Sequence, residues 1–168
     1  MKFLFASDSF KGTLSSQKTA ELLTQSAREI FPDCQYDSIT VADGGEGTTD
    51  AVLAATNGKK ISVQVHGPLW ENITSNYGML DETRAVMEMA VASGLPLVPE
   101  EKRDPRYTTS YGTGEMIADA LRRGFRDISI AIGGSATNDG GIGCIRALGG
   151  KFLDENNQEL MGCGEDLM

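Results

Sequence analysis

A chain of 168 residues, 40% hydrophobic and 23% charged, has enough apolar surface for a folded core, which excludes a disordered chain. Its formal net charge is −9, and its basic residues are dispersed apart from Arg122-Arg123 and Lys59-Lys60, which excludes a nucleic-acid backbone as partner. No apolar run approaches a membrane span and the three cysteines (Cys34, Cys144, Cys163) lack metal-ligand spacing, so a soluble cytoplasmic protein with reduced thiols and no membrane partner is expected.

Residues 2–6 read as a buried first strand, followed by a polar loop to residue 14. Ser15 or Ser16 can cap a helix running to residue 31, with Ala20, Leu23, Ala27 and Ile30 on one face, and Pro32-Asp33 stops it. Residues 35–41 form a second strand. A loop of glycines and acids then feeds a helix through Ala51, Val52, Ala54 and Ala55, which Asn57-Gly58 ends. Strand–helix–strand–helix is the pattern of a parallel sheet covered by helices.

The period changes after Gly58. Ile61, Val63 and Val65 alternate with polar residues, Gly67-Pro68 breaks the run, and Ile73, Ser75, Tyr77 and Met79 alternate again. With residues 84–89 as another strand, short consecutive strands predict antiparallel pairing and a domain boundary near residues 58–60. Pro96, Pro99 and Pro105 mark an irregular connection. Residues 112–123 return to helix, with Met116, Ile117, Ala120 and Leu121 inward. A strand over 127–132 leads into a glycine-rich loop and then a helix through Ile142, Ile145 and Leu148. Residues 151–153 and 158–160 predict a small hairpin around Glu155-Asn156-Asn157.

Four loops carry the candidate chemistry. Ile132-Gly133-Gly134-Ser135-Ala136-Thr137-Asn138-Asp139-Gly140-Gly141 joins a strand to a helix, so its N–H groups can wrap a phosphate or carboxylate, with Ser135, Thr137 and Asn138 as added donors. Asp139 suits either Mg²⁺ or a helix cap. No Gly-Lys-Ser/Thr follows, so this is not a P-loop. Asp43-Gly44-Gly45-Glu46-Gly47-Thr48 places two carboxylates on a flexible turn, which suits a divalent cation, a polyol, or the start of a helix. Asp8 and Lys11 follow the first strand, where open α/β sheets gather binding residues. Asp8 fits a base or metal ligand, and Lys11 a phosphate neighbour. Thr108-Thr109-Ser110 supplies three hydroxyls before a helix, one of them explained by capping, with Glu115 completing the cap. His66 is the sole histidine and is expected to be exposed or paired, and Trp70 to pack. Acid–base work therefore falls to a carboxylate or lysine.

Taken in order, Asp8-Ser9-Phe10-Lys11-Gly12, Ala42-Asp43-Gly44-Gly45-Glu46-Gly47-Thr48, Thr109-Ser110-Tyr111-Gly112-Thr113-Gly114-Glu115 and the loop from Ile132 to Gly141 resemble the glycerate kinase family of the bacterial type I kind. The resemblance covers nearly the whole chain. It implies transfer of the ATP γ-phosphate to D-glycerate with Mg²⁺, giving 2-phosphoglycerate rather than 3-phosphoglycerate. It also implies a flavodoxin-like parallel α/β domain interrupted by a second mixed α/β domain, here residues 1–59 and 60–168. Asp8, Lys11 and Asp43 are then expected near the chemistry. Gly44, Gly45, Glu46, Thr109, Ser110, Gly133, Gly134, Ser135, Thr137, Asn138 and Asp139 are expected at the substrate or phosphates, with Asp43 and Asp139 at the metal. Family chains are more than twice as long, so the sequence looks like an amino-terminal portion. Such a portion is expected to self-associate or to pair with a carboxyl-terminal half, and to need that half for activity. The alternatives are a non-catalytic phosphate- or nucleotide-binding regulatory fragment and, with only Asp8 ending the first strand, a poorly fitting phospho-aspartate receiver.

Overall fold

The computed structural model describes residues 1–10 and 12–167, and its named strands form two sheets. The smaller pairs β1 (Lys2–Ser7) in parallel with β2 (Gln35–Thr40), from Lys2 opposite Gln35 to Ser7 opposite Thr40. Parallel neighbours need a crossover, and α1 (Ser16–Ile30) supplies it. Ser15 is its cap, accepting the Lys18 N–H on Oγ at 3.1 Å. Phe3, Phe5 and Tyr36 stack on one face of this sheet, with Phe31 against Phe3. Alternation sends Leu4 and Ile39 to the other face, where they are 58% and 53% exposed.

The larger sheet has the order β3 (Lys59–His66), β4 (Asn72–Met79), β5 (Arg84–Glu88), β6 (Asp127–Ala131). The first three strands are antiparallel neighbours, as their alternation and short turns predict, and β5 and β6 are parallel. The β5–β6 crossover contains α3 (Ala90–Ser93), two short 3₁₀ turns and α4 (Tyr111–Arg122). The core lies between this sheet and its crossover. Val65, Tyr77, Ala85 and Met87 pack with Ala92, Met116, Ala120 and Phe125.

The helix α2 (Thr48–Thr56) ends at Asn57, whose φ of 53° is the left-handed cap conformation expected there. It packs against β4 and β5. The chain therefore passes from the smaller sheet to the layer of the larger one through residues 41–47, the glycine-and-acid loop itself. A last helix, α5 (Ile142–Ala147), packs on α4. The hairpin expected over residues 151–160 is reduced to one antiparallel bridge, Leu153 with Glu159. Asp154 explains this: its carboxylate accepts the N–H groups of Asn156 and Gln158, so local bonds replace a ladder. Among the described residues, no helix is long and apolar enough to cross a membrane, and the three cysteines are free.

Candidate active site

The two parallel pairs place the candidate loops. The carboxyl ends of β1 and β2 lie side by side, so Asp8 and the Asp43 loop leave the same end of the small sheet. The carboxyl ends of β5 and β6 are likewise adjacent, with Glu88 opposite Ala131. One backbone bond joins the two edges, from the Gly133 N–H to the Gly44 carbonyl at 2.8 Å. A Cβ on Gly133 would stand 2.8 Å from that oxygen and 2.9 Å from Gly45 Cα. The absent side chain thus lets two loops touch each other, a use distinct from the approach to a ligand that glycine-rich sequence implies.

Asp43 is exposed, and its Oδ1 accepts the Gly45 N–H at 3.0 Å. Glu46 is exposed as well, and Gly44 turns with a positive φ. Asp8 is half-buried and folds onto its own loop, accepting the Ser9 N–H at 2.7 Å. Lys11 lies outside the described residues.

Residues 133–141 form a turn held by bonds within it and to the segments packed around it. The N–H of Ala136 bonds Ser93, the Gly134 carbonyl accepts from Leu95, and Ser135 Oγ takes the Thr137 N–H. Asp139 is the anchor. It is 2% exposed, and its Oδ2 accepts Ser110 N–H at 2.8 Å, Ser110 O–H at 2.7 Å and Gly143 N–H at 3.3 Å. Its Oδ1 accepts the Gly141 N–H at 3.0 Å. Of the two roles open to it in sequence, the geometry is that of a cap on the first turn of α5.

The three hydroxyls before α4 also tie loops together. Thr108 donates to the Ala136 carbonyl, Thr109 to Gly162, and Ser110 to Asp139 while accepting from the Cys144 N–H. Thr109 is fully buried, and Ser110 is 4% exposed at the edge of a cleft. The cap expected of Glu115 does not form. Its carboxylate reaches 49 residues back, accepting the His66 N–H at 2.6 Å and lying 3.0 Å from His66 Nδ1. His66 is thus paired, and Trp70 and Tyr111 pack around it.

Two clefts flank the loop crossing. One, about 380 Å³, has Ser135, Thr137, Asn138 and Ser110 at a polar rim and Met89, Ile117, Ile130 and Ile132 as apolar walls. A polar rim over apolar walls is the usual form of a small-molecule pocket. Burial pushes the Cys144 thiol beside it up, and Asp139 adds to the shift, so that thiol stays protonated. The second cleft, about 540 Å³, opens between Ser9 with residues 12–16 and the α2 side, with Glu46, Asp50, Lys60 and Glu88 on its wall. Glu88 was not among the residues that loop chemistry singles out. Its signal in sequence is a carboxylate closing the apolar run Ala85-Val86-Met87, and it is 5% exposed.

The family model described as "Glycerate kinase family" matches residues 3–168. The chain belongs to the glycerate kinase family. It is 53% identical over 161 residues to the glycerate 2-kinase of Escherichia coli (strain K12) and 50% identical over 161 residues to a glycerate kinase of Bacillus subtilis (strain 168). Each alignment covers 95% of this chain and 42% of the relative. A crystal structure of a candidate glycerate kinase 2 from Salmonella typhimurium LT2 superposes with a TM-score of 0.77 at 46% identity, covering 98% of this chain and 44% of that one. The glycerate kinase fold expected from the motifs, a mixed α/β architecture with parallel strands, is the one observed. The chain spans less than half the length of the glycerate kinases it matches.

Among the described residues no group of three or more His, Cys, Asp or Glu is arranged to hold a metal. A Mg²⁺ site of the phosphoryl-transfer kind asks for less, one or two carboxylates with the substrate phosphates and water completing the shell. Exposed Asp43 fits that demand, whereas Asp139, enclosed by four donors, does not.

Proposed function

We propose that this chain forms part of an ATP-dependent kinase that phosphorylates D-glycerate, with the 2-hydroxyl as acceptor. The observation that carries the reading is the backbone contact of Gly133 with Gly44, which brings the loops after β2 and β6 to one place in a family whose named members are glycerate kinases. In this reading the glycerate hydroxyl oxygen attacks the γ-phosphorus, the bond to the β-phosphate breaks, and the hydroxyl proton passes to a carboxylate. Positioning and charge neutralisation are the protein's main contributions to such a transfer. Asp8 and Asp43 are the carboxylates we place near the chemistry, and Lys11 the cation beside the phosphates. Gly44, Gly45 and Glu46 face the substrate across from the rim formed by Ser135, Thr137 and Asn138. Bound Mg²⁺ would neutralise phosphate oxygens, with Asp43 as its protein ligand.

The remaining length of family chains has a place to sit. Purely parallel sheets are ordinarily covered on both faces, and the Leu4–Ile39 face is open. We propose that further polypeptide of the family type covers it and that turnover needs that polypeptide.

Asp43→Asn tests the reading and keeps an amide oxygen to accept from Gly45. Glycerate-dependent ADP release by a family-length version is expected to fall about 10²–10⁴-fold. Unchanged turnover would remove Asp43 from the chemistry. Nucleotide binding without turnover in either version would favour a regulatory fragment.

A further inference from the structure

We propose that Glu88 is a positioning residue, a carboxylate held out by the larger sheet that fixes the residue 44–48 loop, and Asp43 and Glu46 with it, for ligand binding. The latch is independent of the kinase reading, and the ligand it serves rests on that reading. Glu88 ends β5 and its Oε2 accepts the Thr49 N–H at 3.3 Å. Gly47 lines the same cleft as Glu88, and the Thr48 N–H donates to the Gly45 carbonyl at 3.3 Å. The start of α2 is thus tied to a buried side chain 39 positions away in sequence.

Two consequences follow. A helix start is normally an anion site, and here the protein's own carboxylate occupies it, so a substrate phosphate is directed elsewhere along the loop. The loop is also pinned at both ends to the larger sheet's layer, by Gly133 at Gly44 and by Glu88 at Thr49. Between those pins stand Gly45 and Glu46, with Asp43 immediately before the first.

Among the described residues, the other charged groups on this cleft wall are Glu46, Asp50 and Lys60. Lys60 pairs with Asp50 at 2.5 Å, and the Thr49 amide is the hydrogen-bond partner of Glu88. Burial pushes the Glu88 carboxyl above the usual range, the amides of Thr49, Gly47 and Thr48 pull it back, and Asp50 adds to the rise. The net shift is upward, so the folded chain holds this proton more tightly than the unfolded chain. The associated stability is complete below the ordinary glutamate range and declines as pH rises through the folded value.

The test uses the 168-residue chain with Glu88→Gln, which keeps one acceptor, and Glu88→Asp, which keeps the charge but shortens the reach. Amide NMR and hydrogen exchange are read at Gly47, Thr48 and Thr49, with equilibrium binding of D-glycerate and of Mg²⁺-ATP. In the wild type those three amides are expected to shift together as pH crosses the Glu88 titration. In Glu88→Gln that shift is lost, their exchange speeds at least about tenfold, and ligand affinity drops about tenfold with the melting temperature little changed. Glu88→Asp is expected to retain a pH-dependent shift of reduced size. Amides that neither titrate in the wild type nor change in Glu88→Gln would overturn the latch, a result available even if a variant folds poorly. Altered amides with unchanged ligand affinity would overturn the positioning role. A wild-type chain that binds neither ligand would count against the kinase reading, while the amide data still decide the latch.

Discussion

Asp139→Ala is expected to destabilise the chain by about 4 kcal/mol. The substitution strands two buried N–H donors, those of Ser110 and Gly143, each costing roughly 1–3 kcal/mol when unpaired. It also removes the cap on Gly141 and the partner of the Ser110 hydroxyl, about 1 kcal/mol more for the cap. For a chain of this size the melting temperature should fall by roughly 10 °C. Asp139→Asn keeps one oxygen for the converging donors and should lose less than half as much. Thermal or urea unfolding of both variants measures this. An Asp139→Ala protein melting within about 2 °C of wild type would remove Asp139 from the role of anchor.

Gly114→Ala should also destabilise, against the sign that helix propensity predicts. Alanine is favoured over glycine in a helix interior by about 1 kcal/mol. Here the added Cβ would stand 2.2 Å from the Cys144 carbonyl oxygen and 2.8 Å from Ala147 Cβ, both on α5. Neither a backbone carbonyl nor a helical Cβ gives way without moving the helix. A net loss of about 3 kcal/mol is expected, typical of forced overpacking. Because α5 carries the Asp139 cap and the far end of the glycine loop, glycerate affinity should weaken as well. Urea unfolding reads the first effect, and a stabilised Gly114→Ala protein would show that α4 and α5 do not pack this closely.

Much of the fold was legible because its signals are local. The Ser15 cap, the Asn57 stop and the alternation of β3 and β4 each depend on neighbours in sequence, and each appears where expected. What sequence concealed depends on residues far apart. Glu115 resembles a capping partner of the nearby hydroxyls, yet it bonds His66. Glu88 is adjacent to no loop motif, yet it receives the Thr49 N–H at the start of α2. The glycines read as room for a phosphate include Gly133, which is needed for contact with the other loop, and Gly114 outside that loop is needed for helix contact. Residues 108–110 illustrate the same limit. Their hydroxyls suggested ligand donors, and folding directs them to Ala136, Gly162 and Asp139. The candidate site is therefore readable as a set of loops, while the internal anchoring of each loop depends on tertiary partners.

The most direct measurement is phosphorus NMR of a family-length protein containing these residues, supplied with ATP, Mg²⁺ and D-glycerate. ADP and a phosphomonoester on the glycerate 2-hydroxyl are expected, both dependent on glycerate and both lost with Asp43→Asn. ATP left intact in the presence of glycerate, or phosphate carried to another acceptor, would contradict phosphorylation of glycerate at this site.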